Sequence, residues 1–178
     1  RGRGVTRKVL ILDTSVLCCW LRVPGRETAG SGEERWTPKK VEDFIRQEEA
    51  NGSTLVLPIA SLIETGNHIA QAPSARFECA EKLADCLKAA IEERSPWAAF
   101  TAQSPMWEKA HLAQLARSWP GLAAGGTSIG DATIKDVADY YARAGYEVEI
   151  LTGDAGLKAY EPERKPAPLP RRRLSGRR

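Results

Sequence analysis

The sequence predicts an α/β fold, a three-layer α/β/α domain with a central parallel sheet of the Rossmann-like kind. Three observations carry this. Short runs rich in apolar and β-branched residues at 9–12, 54–57 and 147–151 read as buried strands. Longer stretches with helical apolar periodicity lie between them. Strands and helices alternate, the pattern of parallel strands joined by right-handed crossovers. A length of 178 residues suits one such domain with a substantial core.

Taken in order, the run VLIL at 9–12 is the first strand, and Asp13-Thr14-Ser15 leads from it into helical turns at 16–21. Residues 22–37, rich in Gly and charge, form a loop longer than the roughly 12 residues usual for structureless connections. Pro38 opens the next helix, which Asn51-Gly52 ends. After the second strand, 59–70 and 75–92 read as helices, the latter with Phe77, Ala80, Leu83, Ala84 and Leu87 on one stripe. Residues 97–101 are expected as a short third strand, 105–117 as a helix, 121–127 as a small-residue loop and 129–144 as a helix ended by Gly145. The strand at 147–151 closes the domain, followed by Thr152-Gly153-Asp154. The expected organisation is a basic arm at 1–8, the domain at 9–160 and a Pro/Arg-rich tail at 161–178.

Charge follows that division. The whole chain carries +3, residues 1–8 carry +4 and residues 158–178 carry +6, which leaves −7 for 9–157. An acidic body with basic ends suits a cation-binding core with arms drawn to phosphate backbones. The four cysteines, Cys18, Cys19, Cys79 and Cys86, form no CxxC pair and no zinc spacing with His68 or His111. They read as apolar, buried thiols of a reducing cytoplasm. Neither a membrane span nor a signal-peptide pattern is seen.

Asp13, Glu64, Asp131 and Asp154 each fall where an apolar strand is expected to hand over to a helix. In a parallel sheet those handovers share one edge, so four carboxylates distant in sequence are expected to converge. Each has a purely structural reading. Asp13 can cap the first helix, Ser61…Glu64 and Ser128…Asp131 have the spacing of capping boxes, and Asp154 can fix a turn. Capping, however, is served equally by Ser, Thr or Asn, and crowded carboxylates repel unless a cation neutralises them. With no Lys or Arg expected among the gathered carboxylates, the cluster points to a hard, oxygen-seeking ion, Mg²⁺ or Mn²⁺.

The motifs LILDTSVL, SLIETGN, SIGDATIKDVA and ILTGDAGL, in that order, resemble the PIN-domain nucleases, including the VapC-like bacterial toxins, over about residues 8 to 160. The resemblance implies a PIN-like fold and an endoribonuclease that hydrolyses RNA by a water activated on one or two Mg²⁺ or Mn²⁺ ions. Carried over by position, the metal-binding and catalytic acids are Asp13, Glu64, Asp131 and Asp154, with supporting hydroxyls on Thr14, Ser15 and Thr152. It further implies a cytoplasmic toxin or defence effector. Its expected partners are single-stranded or structured RNA, an antitoxin or larger defence complex, and further copies of itself. The long 22–37 loop and the Arg-rich tail depart from the family pattern. DNA cleavage and a catalytically silent RNA-binding or assembly module are the rival readings. A haloacid-dehalogenase-type phosphatase lacks its second Asp, since position 15 is Ser. A response-regulator receiver lacks its doubled acid and its Lys.

Asn67 and the tail residues Arg171, Arg172 and Arg173 are candidate substrate contacts. His68 is expected to face solvent, Asp136 to point away from the site, and Asp136 and Asp139 both to be solvated. Trp97, Trp107 and Trp119 are expected to pack rather than stack on bases.

Overall fold

The computed structural model describes residues 7–163. Arg171, Arg172 and Arg173, and the first six residues of the basic arm, lie outside the described residues. Three strands, β1 (Lys8–Leu12), β2 (Thr54–Val56) and β3 (Glu147–Leu151), form a parallel sheet in the order β2-β1-β3. Ile11 sits opposite Val56 on one side and Ile150 on the other. Among the described residues seven α-helices surround it: α1 (Thr14–Leu21), α2 (Pro38–Ala50), α3 (Ile59–Gln71), α4 (Arg76–Ile91), α5 (Lys109–Ala124), α6 (Ile129–Arg143) and α7 (Ala155–Lys158).

Central β1 is buried on both faces because successive side chains alternate. Leu10 and Leu12 join a core with α1, Val41 and Ile45 of α2, Ile69 of α3 and Leu83 of α4. Val9 and Ile11 join a second core with Ile134, Val137 and Tyr141 of α6, together with Val148 and Ile150. The molecule is therefore a three-layer α/β/α fold, as the alternating pattern predicts. Among the described residues no helix is long and apolar enough to cross a membrane.

The expected third strand is not a strand. Trp97 makes one isolated parallel bridge to Leu55, and the chain then enters a 3₁₀ helix over Phe100–Trp107. Pro96 accepts from Leu55 N–H, Ala98 donates to Leu55 C=O, and Trp97 stacks on Trp20 at 6.2 Å. The segment thus covers the outer edge of β2 without running along it. The helix expected from 105 begins later, because Glu108 is extended and Pro105 cannot donate a helical hydrogen bond. It also ends later. It runs through Pro120 to Ala124, where Trp119 Nε1–H donates to Thr127 C=O. On the other sheet edge, the Ile150 N–H donates to Glu161 Oε2 (2.9 Å), and Lys158 Nζ donates to Ile150 C=O (3.0 Å).

Candidate metal centre

At the carboxyl edge of the sheet the β1–β3 ladder continues one residue past the strands, where Asp13 N–H donates to Leu151 C=O at 3.0 Å. This places Asp13 beside Thr152. Asp13 is 5 % exposed, and its carboxylate Oδ2 accepts three bonds: from Ser15 N–H (3.2 Å), Ser15 Oγ (2.6 Å) and Thr152 Oγ1 (2.8 Å). Ser15 Oγ in turn accepts from Gly153 N–H, and Thr152 Oγ1 from Asp154 N–H, both at 2.9 Å. The two hydroxyls therefore lock the end of β1 to the end of β3. Asp154 Oδ1 caps α7 by accepting from Gly156 and Leu157 N–H groups.

Glu64 arrives from α3, and Thr14 Oγ1 donates to its Oε2 at 3.1 Å. The capping-box reading of Ser61 and Glu64 is overturned. Helix α3 starts at Ile59, three residues earlier than the box requires, and the Ser61 hydroxyl is fully buried with no hydrogen-bond partner. The Ser128–Asp131 reading holds, since Ser128 Oγ caps α6 by accepting from Asp131 N–H at 3.0 Å. A Cβ at Gly130 would overlap the Glu64 carboxylate. The glycine before Asp131 is thus what lets α3 and α6 bring their acids together.

All four acids line one open cavity of about 280 Å³, with Thr14, Ser15, Cys18, Gly25, Arg26 and Thr28. Burial pushes the Asp131 carboxyl above its usual range, against the pull of Ser128, and the charges of Asp13 and Asp154 push it further. The donor set is chemically that of a hard cation, all carboxylate and hydroxyl oxygen. Cys18 does not alter this, because burial pushes its thiol up to about 11 and keeps it protonated. Among the described residues, no three His, Cys, Asp or Glu side chains are yet drawn close enough to share one ion. Asp13 and Asp154 are instead turned onto hydroxyl and amide donors.

The structure corrects several expectations around the cavity. The acids are not without a basic neighbour, because the 22–37 loop folds back and sets Arg26 in the wall. The loop is held there by a bridge between Ala29 and Trp36 and by the Trp36 indole donating to Thr152 C=O at 3.2 Å. Gly153 lies so close that a Cβ on it would overlap the backbone of Ala29 and Gly30. His68 is half-buried rather than solvent-facing; burial, then the nearby Arg26 charge, lowers its pKa, while Glu64 opposes them. Asn67 is exposed and is not among the residues lining the cavity. Asp136 does point away from the site, yet it is paired with His111 at 3.0 Å, and Asp139 with Lys135 at 2.9 Å, so neither is simply solvated. Trp97 and Trp119 are packed, whereas Trp107 is 40 % exposed.

The sequence signal for Arg26 is weak, because only the docking of a long loop brings it to the acids. For the glycines the signal is plainer: two of the four acids, Asp131 and Asp154, are directly preceded by Gly. No protein-family model, curated protein or solved structure matches the chain.

Proposed function

We propose that the chain is a divalent-cation-dependent nuclease, an endoribonuclease of the PIN-domain kind, with Mg²⁺ or Mn²⁺ held by Asp13, Glu64, Asp131 and Asp154. One observation carries this reading: four carboxylates from four separate segments line a single open cavity at the carboxyl edge of a parallel sheet. Bound there, the cation supplies Lewis acidity for phosphodiester hydrolysis. The chain's own part is positional. Ser15 and Thr152 fix the Asp13 carboxylate, Thr14 orients Glu64, and Gly130 lets Glu64 approach Asp131. Cys18 is not poised as a covalent nucleophile, since burial keeps its thiol protonated.

The four free thiols suit a reducing cytoplasm. Exposed Ile63 on α3 and Phe77 and Ile91 on α4 offer apolar contacts to a protein partner, an antitoxin or a second copy.

Titration of Mn²⁺ against single-stranded RNA and DNA tests the proposal. Cleavage of RNA is expected only with Mg²⁺ or Mn²⁺. Asp13→Asn and Asp131→Asn are expected to abolish cleavage with circular dichroism unchanged. Mn²⁺ at ~100 times its Kd stabilises the fold by about 2.7 kcal/mol in a thermal melt. Wild-type cleavage by either variant would remove the acids from the chemistry. RNA binding with no cleavage under any cation would favour the silent module, and cleavage of DNA alone would move the substrate.

A further inference from the structure

The acidic cavity contains one element that a cation site does not need. Arg26 lines it together with all four carboxylates, yet among the described residues no carboxylate lies within ion-pair distance of its guanidinium. Other arginines of the fold are paired: Arg22 with Glu42 at 3.0 Å and Arg46 with Asp43 at 3.6 Å. If Arg26 served only to neutralise the acids, it would sit on one of them, as Thr14 sits on Glu64.

Its loop is anchored on both sides of it. Arg26 N–H donates to Val23 C=O at 2.9 Å, and Cys19 Sγ–H donates to Glu27 C=O at 3.1 Å. Farther along come the Ala29–Trp36 bridge, the Trp36 bond to Thr152 and the close approach of Gly30 to Gly153. The backbone around Arg26 is therefore fixed to α1 and to the end of β3 that leads to Asp154, while its side chain stays exposed to the cavity.

An unpaired guanidinium facing a cluster of carboxylates is matched by a ligand that carries negative charge to the arginine and accepts a cation held by the acids. A phosphodiester does both, and the planar fork of arginine binds two of its oxygens at once. We infer, resting on the nuclease reading, that Arg26 is a phosphate-binding residue that seats the backbone of single-stranded RNA against the acids from the inserted 22–37 loop.

The test uses the full chain, a fluorescent 12-nucleotide single-stranded RNA and its DNA counterpart, in Mn²⁺, with Arg26→Ala and Arg26→Lys. Loss of a charge-assisted contact is expected to raise KM by about tenfold, with kcat within about twofold. The slope of log(kcat/KM) against log[salt] is expected to flatten by about 0.7, the value of one single-strand phosphate contact. Lys is expected to recover the salt slope but only part of KM, because it lacks the fork. The melting temperature and its rise with Mn²⁺ are expected to stay at wild-type values.

An unchanged KM and salt slope in Arg26→Ala, while the wild type cleaves, would overturn the inference and leave the nuclease reading standing. A parallel fall in melting temperature and in the Mn²⁺ response would overturn it too, by showing that the arginine only holds the loop. If the unaltered chain cleaves neither RNA nor DNA, the nuclease reading fails first and takes this inference with it. Stronger dependence on Arg26 with DNA than with RNA would overturn the choice of RNA.

Discussion

Asp13 and Asp154 come to the cavity from strand ends, and Glu64 and Asp131 come from helices, and the two pairs are held by different forces. The strand-end pair is fixed by hydrogen bonds. Three donors converge on Asp13 Oδ2 and two on Asp154 Oδ1, and the ladder bond from Asp13 to Leu151 aligns the backbone beneath them. In the helical pair Asp131 is held only by the Ser128 cap of its own helix, and Glu64 mainly by close packing. Glu64 receives one hydroxyl, and its carboxylate lies where the missing side chain of Gly130 leaves room. Hydrogen bonds specify direction, whereas a steric gap specifies only how near two groups come. The strand-end half is thus the rigid reference, and the helical half is the one able to draw inward around a cation.

The comparison breaks most severely at Gly153. Gly153→Ala would drive a methyl into the backbone of Ala29 and Gly30, which cannot yield as a side-chain tip does. Overpacking of this kind costs about 1–3 kcal/mol. A lowered melting temperature and new protease cleavage within 22–37 are the expected results; a wild-type melt would mean that the loop is not docked.

Gly130→Ala sharpens the contrast, because there the methyl meets only the movable end of Glu64. Alanine is the better helix former by up to about 1 kcal/mol, so the melt is expected to be unchanged or slightly higher. Meanwhile Glu64 is displaced, and Mn²⁺ affinity, read by calorimetry, is expected to fall by about 10- to 100-fold. Equal loss of stability in both glycine variants would erase the distinction between the two halves.

The smallest effect concerns Asp131. Its carboxyl is raised in the fold, first by burial and then by Asp13 and Asp154, so the fold disfavours its ionisation. With a folded pKa above the unfolded one, the stability present at low pH is lost as pH climbs from about 4 through the raised value. Asp131→Asn should therefore melt higher than wild type near neutral pH without divalent ions, by no more than about 3 °C, and the gap should close near pH 3 and on addition of Mn²⁺. A gap that grows as the pH falls would reverse the sign of the argument.

Much of this arrangement can be read from the chain, and what cannot has identifiable causes. Strands β1 and β3 and helix α6 announce themselves through local apolar pattern. Their order already puts Asp13, Asp131 and Asp154 at one edge. The segment at 97–101 misleads because a single bridge to Leu55, backed by Trp20, uses the same apolar residues as a strand. Helix α5 is misjudged at both ends because Pro105 and Pro120 act oppositely: one sits in the 3₁₀ stretch before the helix, the other is carried inside its last turns. Arg26 is invisible to local reading, since a contact between residues 36 and 152 decides where it goes.

The outer edge of β3 has a consequence beyond the site. Glu161 and Lys158 occupy the donor and acceptor of Ile150 much as a neighbouring strand would, and residues 96–98 do the same for Leu55 on the far side. A three-stranded sheet with both rims occupied by its own chain offers little template for an incoming extended peptide. Among the described residues, a further strand pairing at either rim would first have to displace these bonds, which protects the sheet against the edge-to-edge stacking that leads small α/β domains into aggregates.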